Sequence, residues 1–239
     1  MWYLTNMKFG VSALELQQAL GLGSYQTSWA MLHRLRRVMA NSNQAPLHGP
    51  VEVGEAYMDV RKDRPSSLSP KQARKSRPAA KTPVAVAVEI DITAATGFGR
   101  VRLRRIPSAD QRYVIPFVCE TVEPGAWVDT DGTRTCLSLS EHGYEHRRHV
   151  HLDNEDPAQV SMPGVHRAAF MLQTWLQGAH RTHQSAMSGA QFDYYLDEFT
   201  FRFNSHYSQS PGLLFYRLLN QAVITAPLTY RDIVNRGTS

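Results

Sequence analysis

Cysteine is scarce in this chain of 239 residues, with only Cys119 and Cys136 present and no CxxC pair. The sequence therefore predicts neither a disulfide scaffold nor a zinc ribbon, and we expect no zinc. No apolar run is long enough to span a membrane, and the first residues lack the layout of a signal peptide. We therefore expect a soluble protein of a reducing compartment, the cytoplasm, with no membrane partner.

Other familiar signatures are missing too. The sequence has no phosphate-cradling glycine loop, no nucleophile elbow and no internal repeat. It does have enough apolar residues, 42% of the chain, for a substantial core. Its 26 Lys and Arg exceed its 21 Asp and Glu only modestly, so the positions of the cations say more about partners than the total does.

Residues 1–40 predict a small helical segment that binds DNA. Ser12 and Glu15 have the spacing of a capping box, Gly21 breaks the first helix, and Ser24 is placed to cap a second one over residues 25–39. This arrangement is typical of a helix-turn-helix, although a helical hairpin with a solvated basic face would have the same pattern. In the helix-turn-helix interpretation, the recognition end that faces the bases contains Ser24, Tyr25, Gln26 and Thr27. The phosphates are contacted by Arg34, Arg36 and Arg37.

A second cationic cluster lies in residues 61–81, which contain three prolines and cannot bury a core. We expect a flexible basic insertion whose partner is a polyanion, and the alternative is a solvated insertion with no partner. The cations that we assign to DNA there are Lys71, Arg74, Lys75 and Arg77.

The remaining pattern predicts a linker over residues 41–50, a domain over 51–224 and a tail over 225–239. Alternating or continuous apolar residues indicate strands over 51–60, 83–90, 97–106, 127–131 and 144–152. Helical spacing indicates helices over 108–122, 165–180, 190–204 and 211–223, the first of them capped by Ser108. This order predicts an α/β fold of the ribonuclease H-like type, a mixed sheet flanked by helices and preceded by the helical segment.

Several side chains are candidates for chemistry. Asp131 ends a predicted strand before Gly132, which suits a carboxylate that holds a divalent cation, and also suits an ordinary turn. Four histidines at 142, 146, 149 and 151 could bind zinc, but without firm ligand spacing we interpret them as a surface strand. Glu89 and Asp91 are interpreted as solvated strand-end acids, the arginines of 97–106 as a basic outer face, and the aromatics of 192–203 as core.

Blocks of residues across the chain resemble bacterial insertion-sequence transposases of the ISXO type. The most specific block covers residues 195–204, and the others cover 51–55, 130–132, 163–167, 175–178 and 214–219. The resemblance implies DDE-type transposition, in which metal-assisted hydrolysis at transposon ends precedes attack of the freed 3′-hydroxyl on target DNA. It implies Mg²⁺ or Mn²⁺ as cofactor, double-stranded DNA as partner and a homo-oligomer on that DNA. Asp131 would be the second acid and a metal ligand, and His166 the third-position catalytic group.

Two positions depart from the family pattern. The first aspartate falls on Gly54, and the lysine that follows the third position falls on Gln173. Glu55 should point to the opposite strand face, and Glu52 lies roughly 6–7 Å along the strand, so neither replaces the missing ligand well. We therefore hypothesise a decayed copy with impaired catalysis. The alternative is a catalytically dead DNA-binding protein that occupies transposon ends or inhibits an intact transposase, and the basic residues 61–81 disfavour a small-molecule enzyme.

Overall fold

The computed structural model describes residues 1–7, 10–40, 45–60, 81–94, 97–131, 134–149, 162–180, 189–205 and 211–235. The eight α-helices of this part of the chain are α1 (Trp2–Asn6), α2 (Ala13–Leu20), α3 (Tyr25–Met39), α4 (Gln111–Thr121), α5 (Pro163–His180), α6 (Gly189–Asn204), α7 (Pro211–Ile224) and α8 (Tyr230–Asn235). Its five strands are β1 (Pro50–Met58), β2 (Thr82–Ile90), β3 (Phe98–Arg105), β4 (Trp127–Asp131) and β5 (Glu145–His149), with a 3₁₀ helix at Arg134–His142.

These strands form one mixed sheet in the order β3-β2-β1-β4-β5. The first three strands are antiparallel neighbours, while β4 pairs in parallel with β1, and β5 pairs in parallel with β4. Three hairpin-connected strands followed by parallel strands that arrive through helical crossovers are the ribonuclease H-like arrangement. The predicted fold class is confirmed.

Each face of the central strands is covered by a helix. Val51, Val53, Ala85 and Ala87 on one face share a buried cluster with Phe117 and other residues of α4. The opposite face, with Gly54 at its centre, packs against the start of α5. Strand β2 is buried along almost its whole length, which explains why its sequence is nearly continuous in apolar residues rather than alternating.

The described residues form two compact units. One comprises those within Asn43–Met58 and Thr82–Gln173, and holds the sheet. The other, the helical unit, comprises those within Met1–Ser42, Asp59–Lys81 and Thr174–Ser239. The domain boundaries drawn from the sequence at 40, 51 and 224 stay a prediction, and the stretch predicted as a tail contains α8, whose Ile233 is buried.

The helical unit has its own hydrophobic core. It also contains a buried ionic network, in which Glu198 pairs with Arg36 and Arg202. The predicted capping box is present, since the Ser12 side chain accepts from the Glu15 amide and the Glu15 carboxylate accepts from the Ser12 amide. Leu4, Leu16, Leu32, Phe201 and Leu218 are among the residues that form the core of this unit. The aromatics of α6 are buried, which confirms their interpretation as core.

Two local predictions were wrong. The side chain that caps α4 is Asp110, which accepts from the Arg112 amide, and not Ser108. Glu89 is not a solvated acid: it is buried and paired with Arg100 at 2.9 Å, and its pKa is about 2 because the Arg100 hydrogen bonds outweigh the effect of burial.

Strand β3 is half-exposed with a basic face, as predicted, and the arginines of that face also make intramolecular contacts. Arg100 and Arg102 both donate to the Ala45 carbonyl, and Arg104 pairs with Glu120. Burial, with some repulsion from Arg100, lowers the pKa of Arg102 to about 10. The alternating pattern predicts this face, but it does not reveal that the carbonyls of residues 45–46 accept hydrogen bonds from its arginines.

Among the described residues, no helix combines the length and the apolar character needed to cross a bilayer.

Candidate functional site

Position 54 lies in the middle of β1, beside the end of β4. The parallel register pairs Glu52 with Asp129 and Val53 with Thr130, so Gly54 lies level with Asp131, the last residue of β4. Because side chains alternate along a strand, positions 52, 54, 129 and 131 belong to the same face of the sheet. This face is the one that α5 covers, so the structure brings the first and second acid positions predicted from the sequence together.

The first turn of α5 sits directly on Gly54. A Cβ atom added at position 54 would lie 3.1 Å from Met162 Cε and 3.1 Å from Val165 Cγ1. Met162 is the residue before the helix, and its carbonyl accepts a hydrogen bond from the amide of His166. The third predicted position is thus one residue beyond the contact with Gly54, and the His166 side chain is exposed.

Glu52 fixes the start of α5 to the sheet. Its Oε2 accepts a hydrogen bond of 3.0 Å from the Val165 amide, in a buried setting. The amides at the beginning of a helix have no partner within the helix, and a carboxylate from a neighbouring strand satisfies them as an N-cap would. Gly164 lets this contact form, because a Cβ there would lie 2.9 Å from the same carboxylate oxygen and 3.1 Å from Ile90 Cδ1.

The negative charges of Glu52 and Glu55, the acids on either side of position 54, are poorly compensated by their surroundings. Burial raises the pKa of Glu52, with a smaller contribution from the charge of Asp129, and the amides of Val165 and Gly164 only partly oppose this. Burial also raises the pKa of Glu55, and the charge of Asp131 raises it further. A raised carboxylate pKa means that the local environment disfavours negative charge, and at Glu52 the nearby His149 opposes this only in part.

Two further residues on this face were not predicted to belong to the site. The Nε2 of His149 lies 3.3 Å from Oδ1 of Asp129, and His149 is also the cross-strand partner of Asp131. Arg147 lies over the Trp127 ring at 4.9 Å, with its Nε 3.6 Å from the same Asp129 oxygen. The period-two alternation of 127–131 and 145–149 would have indicated a shared face, but only the β4–β5 register shows which residues meet. The zinc alternative receives no support from the described residues, and His151 lies outside them.

The DNA-binding residues predicted in the helical unit fall into two groups. Gln26 and Thr27 are exposed in the first turn of α3, and Ser24 is half-exposed at its N-cap, where its side chain makes no capping hydrogen bond. Arg34 is exposed and donates to the Leu228 carbonyl at 2.9 Å, and Arg37 is half-exposed. Their role in DNA binding stays a prediction, and Lys71, Arg74, Lys75 and Arg77 lie outside the described residues.

Arg36 does not contact phosphates, contrary to the sequence-based interpretation of the α3 arginines. Its side chain is 2% exposed and pairs with Glu198 at 2.6 Å, and its guanidinium lies 4.0 Å from the centre of the Tyr195 ring. Glu198 also binds Arg202, which donates to the carbonyls of Met7 and Leu4. Helical spacing alone did not distinguish this buried arginine from its exposed neighbours.

The strand order, and the meeting of the first strand, the fourth strand and a following helix on one face, define a ribonuclease H-like protein. The sequence model of the ISXO2-like transposase domain matches residues 46–204, well over half of the chain, and the chain belongs to this insertion-sequence transposase family. The resemblance drawn from the sequence is confirmed.

Two other comparisons add little. The search of curated proteins gives no match. Among solved structures, the chain is similar to one described as the crystal structure of a pre-cleavage Mos1 transpososome, with 13% identity, 90% of this chain and 80% of that chain covered, and a TM-score of 0.36. At that score the likeness supports no argument, and the fold assignment rests on the strand order.

Transposases of the DDE type generally use divalent metal ions, so the donor set of this chain can be compared with that requirement. Two ions about 3.5–4 Å apart need several carboxylate ligands, one of them shared. Position 54 supplies no side chain and is closed over by Met162 and Val165. The described residues contain no group of three His, Cys, Asp or Glu side chains that could hold a metal ion. Within the part of the chain that the structure describes, the donor set on this face therefore does not fit a two-ion site.

Proposed function

We propose that this protein is a decayed transposase of an insertion sequence, which keeps the DNA-binding surface of its family while its DNA cleavage and strand transfer are impaired. Membership of the ISXO2-like family supports the transposition setting. The observation that supports impairment is Gly54, at the level of Asp131 and in contact with the start of α5, where the family pattern places its first aspartate. The proposed setting is the bacterial cytoplasm, where the protein would act on double-stranded DNA as a homo-oligomer.

Asp131 and His166 are the residues that we propose for the remnant of the active site. Asp131 keeps a half-buried carboxylate at the end of β4, and His166 keeps an exposed imidazole in the first turn of α5. Their backbone positions are fixed by the β4–β5 pairing and by the hydrogen bond from the His166 amide to the Met162 carbonyl. One carboxylate and one imidazole are too few ligands to hold two hard cations, which prefer oxygen ligands.

The test is a comparison of binding and cleavage on the same DNA. Purified protein would be incubated with labelled DNA of the element's own ends and Mg²⁺ or Mn²⁺, with an ISXO2-like transposase that carries aspartate at the first position as positive control. We expect a shifted band in a gel-mobility assay but no cleaved or joined product. Normal cleavage or joining by the protein with Gly54 would overturn the proposed impairment, and absence of any shift would overturn the proposed DNA binding.

A second function follows from the same observation. A protein that binds ends without cutting them would compete with an intact transposase, or would enter its oligomer as an inactive subunit. We propose that adding this chain to the active control lowers the yield of joined product in proportion to its share of the protein. No change in yield, at a concentration that saturates the ends, would rule this inhibitory function out.

A further inference from the structure

Compared with the family pattern, the site differs in more than the missing carboxylate at position 54. The geometry points to Val165 as a second, independent obstacle: its side chain occupies the space that a residue-54 side chain needs, so that restoring aspartate alone would not restore a cation site. This inference rests on the proposed impairment and adds a second residue to it.

The space beside position 54 is already occupied by two side chains. A Cβ on residue 54 would meet Val165 Cγ1 at 3.1 Å and Val165 Cγ2 at 3.8 Å, and it would meet Met162 Cε at 3.1 Å. Contacts of 3.1 Å between carbon atoms are inside the optimal 3.5–4.0 Å, so both neighbours have to yield by a few tenths of an ångström before a side chain fits. The carboxylate group of an aspartate would extend further still.

The two neighbours differ in how easily they can move. Met162 touches position 54 with the terminal methyl of an unbranched, flexible side chain, and rotation of one torsion would carry that methyl away. Val165 touches it with a branch on its own Cβ, in the first turn of a helix, where one χ1 rotamer is strongly preferred. Val165 therefore cannot leave the contact by changing rotamer at low cost.

The helix itself also has little freedom to retreat. Glu52 Oε2 holds the Val165 amide at 3.0 Å, and the neighbouring Gly164 is packed so closely that an added Cβ would lie within 3.2 Å of Glu52, Ile90 and Phe98. Shifting the first turn of α5 away from the sheet would break this buried hydrogen bond. Relief has to come from a smaller side chain at position 165.

The first experiment measures the steric part alone. Gly54→Ala adds only the Cβ, and we expect it to lower the melting temperature of the purified full chain by a few degrees, as overpacking does. Combining it with Val165→Ala should remove most of that loss relative to Val165→Ala alone, whereas combining it with Met162→Ala should not. Equal relief from both partners, or no loss in Gly54→Ala, would overturn the inference.

The second experiment measures cation binding, with Mn²⁺ alone as the probe and electron paramagnetic resonance as the readout. We expect Gly54→Asp/Val165→Ala to bind Mn²⁺ on the order of tenfold more tightly than the original chain, since affinity rises with the number of carboxylate ligands. Gly54→Asp alone and Gly54→Asp/Met162→Ala should bind no better than the original chain. Equal binding by Gly54→Asp alone, or none by the Val165→Ala combination, would contradict the inference.

The failures of the two proposals remain distinguishable. Cleavage by the unmodified chain would refute the impairment, whatever the variants do. If Gly54→Asp/Val165→Ala does not fold, the alanine series decides the question, because it requires no carboxylate and no cation. Tight Mn²⁺ binding by Gly54→Asp alone would leave the impairment in place and refute only the role of Val165.

Discussion

Two buried glutamates of this protein have opposite surroundings. In the helical unit, burial opposes ionisation of Glu198, but Arg36 and Arg202 outweigh it and hold its pKa at about 2. In the sheet unit, burial raises the pKa of Glu52, which is bound by backbone amides and lies near the like-charged Asp129. The most specific family block, residues 195–204, belongs to the first environment, and its side chains hold the helices together. Likeness in that block therefore reports on the fold, while the chemistry depends on position 54.

The largest effect should come from removing the charge of Glu198. Glu198→Gln would leave Arg36 buried without its ionic partner, and we expect the free energy of unfolding to fall by about 3–5 kcal/mol in urea denaturation. Asp59→Asn is the matched control, because Asp59 and Lys81 form an exposed pair at 3.9 Å, worth about 0–1 kcal/mol. Similar losses of unfolding free energy in the two variants would show that the buried acid contributes no more to stability than the exposed one.

The next largest effect should be acid sensitivity. Glu198 and Glu89 both have folded-state pKa values of about 2, below the ordinary 4.5, so their contribution to stability is present above about pH 4.5 and lost as pH falls toward 2. Arg100→Met would let the pKa of Glu89 rise, and the stability of this variant should change less over that pH range. An unchanged or steeper acid dependence in thermal melts would contradict the assigned pairing.

Two glycines of α5 give a smaller effect of opposite sign. Gly164→Ala should cost about 1–3 kcal/mol, because its Cβ would press on Glu52, Ile90 and Phe98. Gly178→Ala should instead stabilise by up to about 1 kcal/mol, since nothing lies within 4 Å of its Cβ and alanine favours the helix. Urea denaturation of both variants measures the two effects. A stabilising Gly164→Ala would refute the close packing of α5 on the sheet.

The smallest effect concerns DNA. Arg37→Ala should weaken binding to end DNA and reduce the slope of log K against log salt by about 1, as expected for one lost phosphate contact. Arg112→Ala is the control, because its side chain is 74% exposed and lies in the sheet unit. Fluorescence anisotropy at several salt concentrations gives the slopes. Equal slopes for Arg37→Ala and the unmodified chain would remove Arg37 from the DNA surface.

Local patterns in the sequence were sufficient to predict the fold. Alternation and apolar runs placed all five strands within a few residues, and the capping box of α2 was read directly from Ser12 and Glu15. Partnerships between distant residues were not readable in the same way. Arg36 and Glu198 are separated by 162 positions, and Glu52 and Val165 by 113. Because nothing in local spacing encodes such pairs, the buried arginine was assigned to DNA and the capping role of Glu52 was missed.

The most direct test is anomalous diffraction from crystals of the unmodified protein soaked in Mn²⁺. We predict no ordered manganese peak beside Asp131, because position 54 supplies no ligand and Val165 fills the adjoining space. Two ordered peaks about 3.5–4 Å apart at that carboxylate would mean that a two-ion site exists despite Gly54, and would contradict the account.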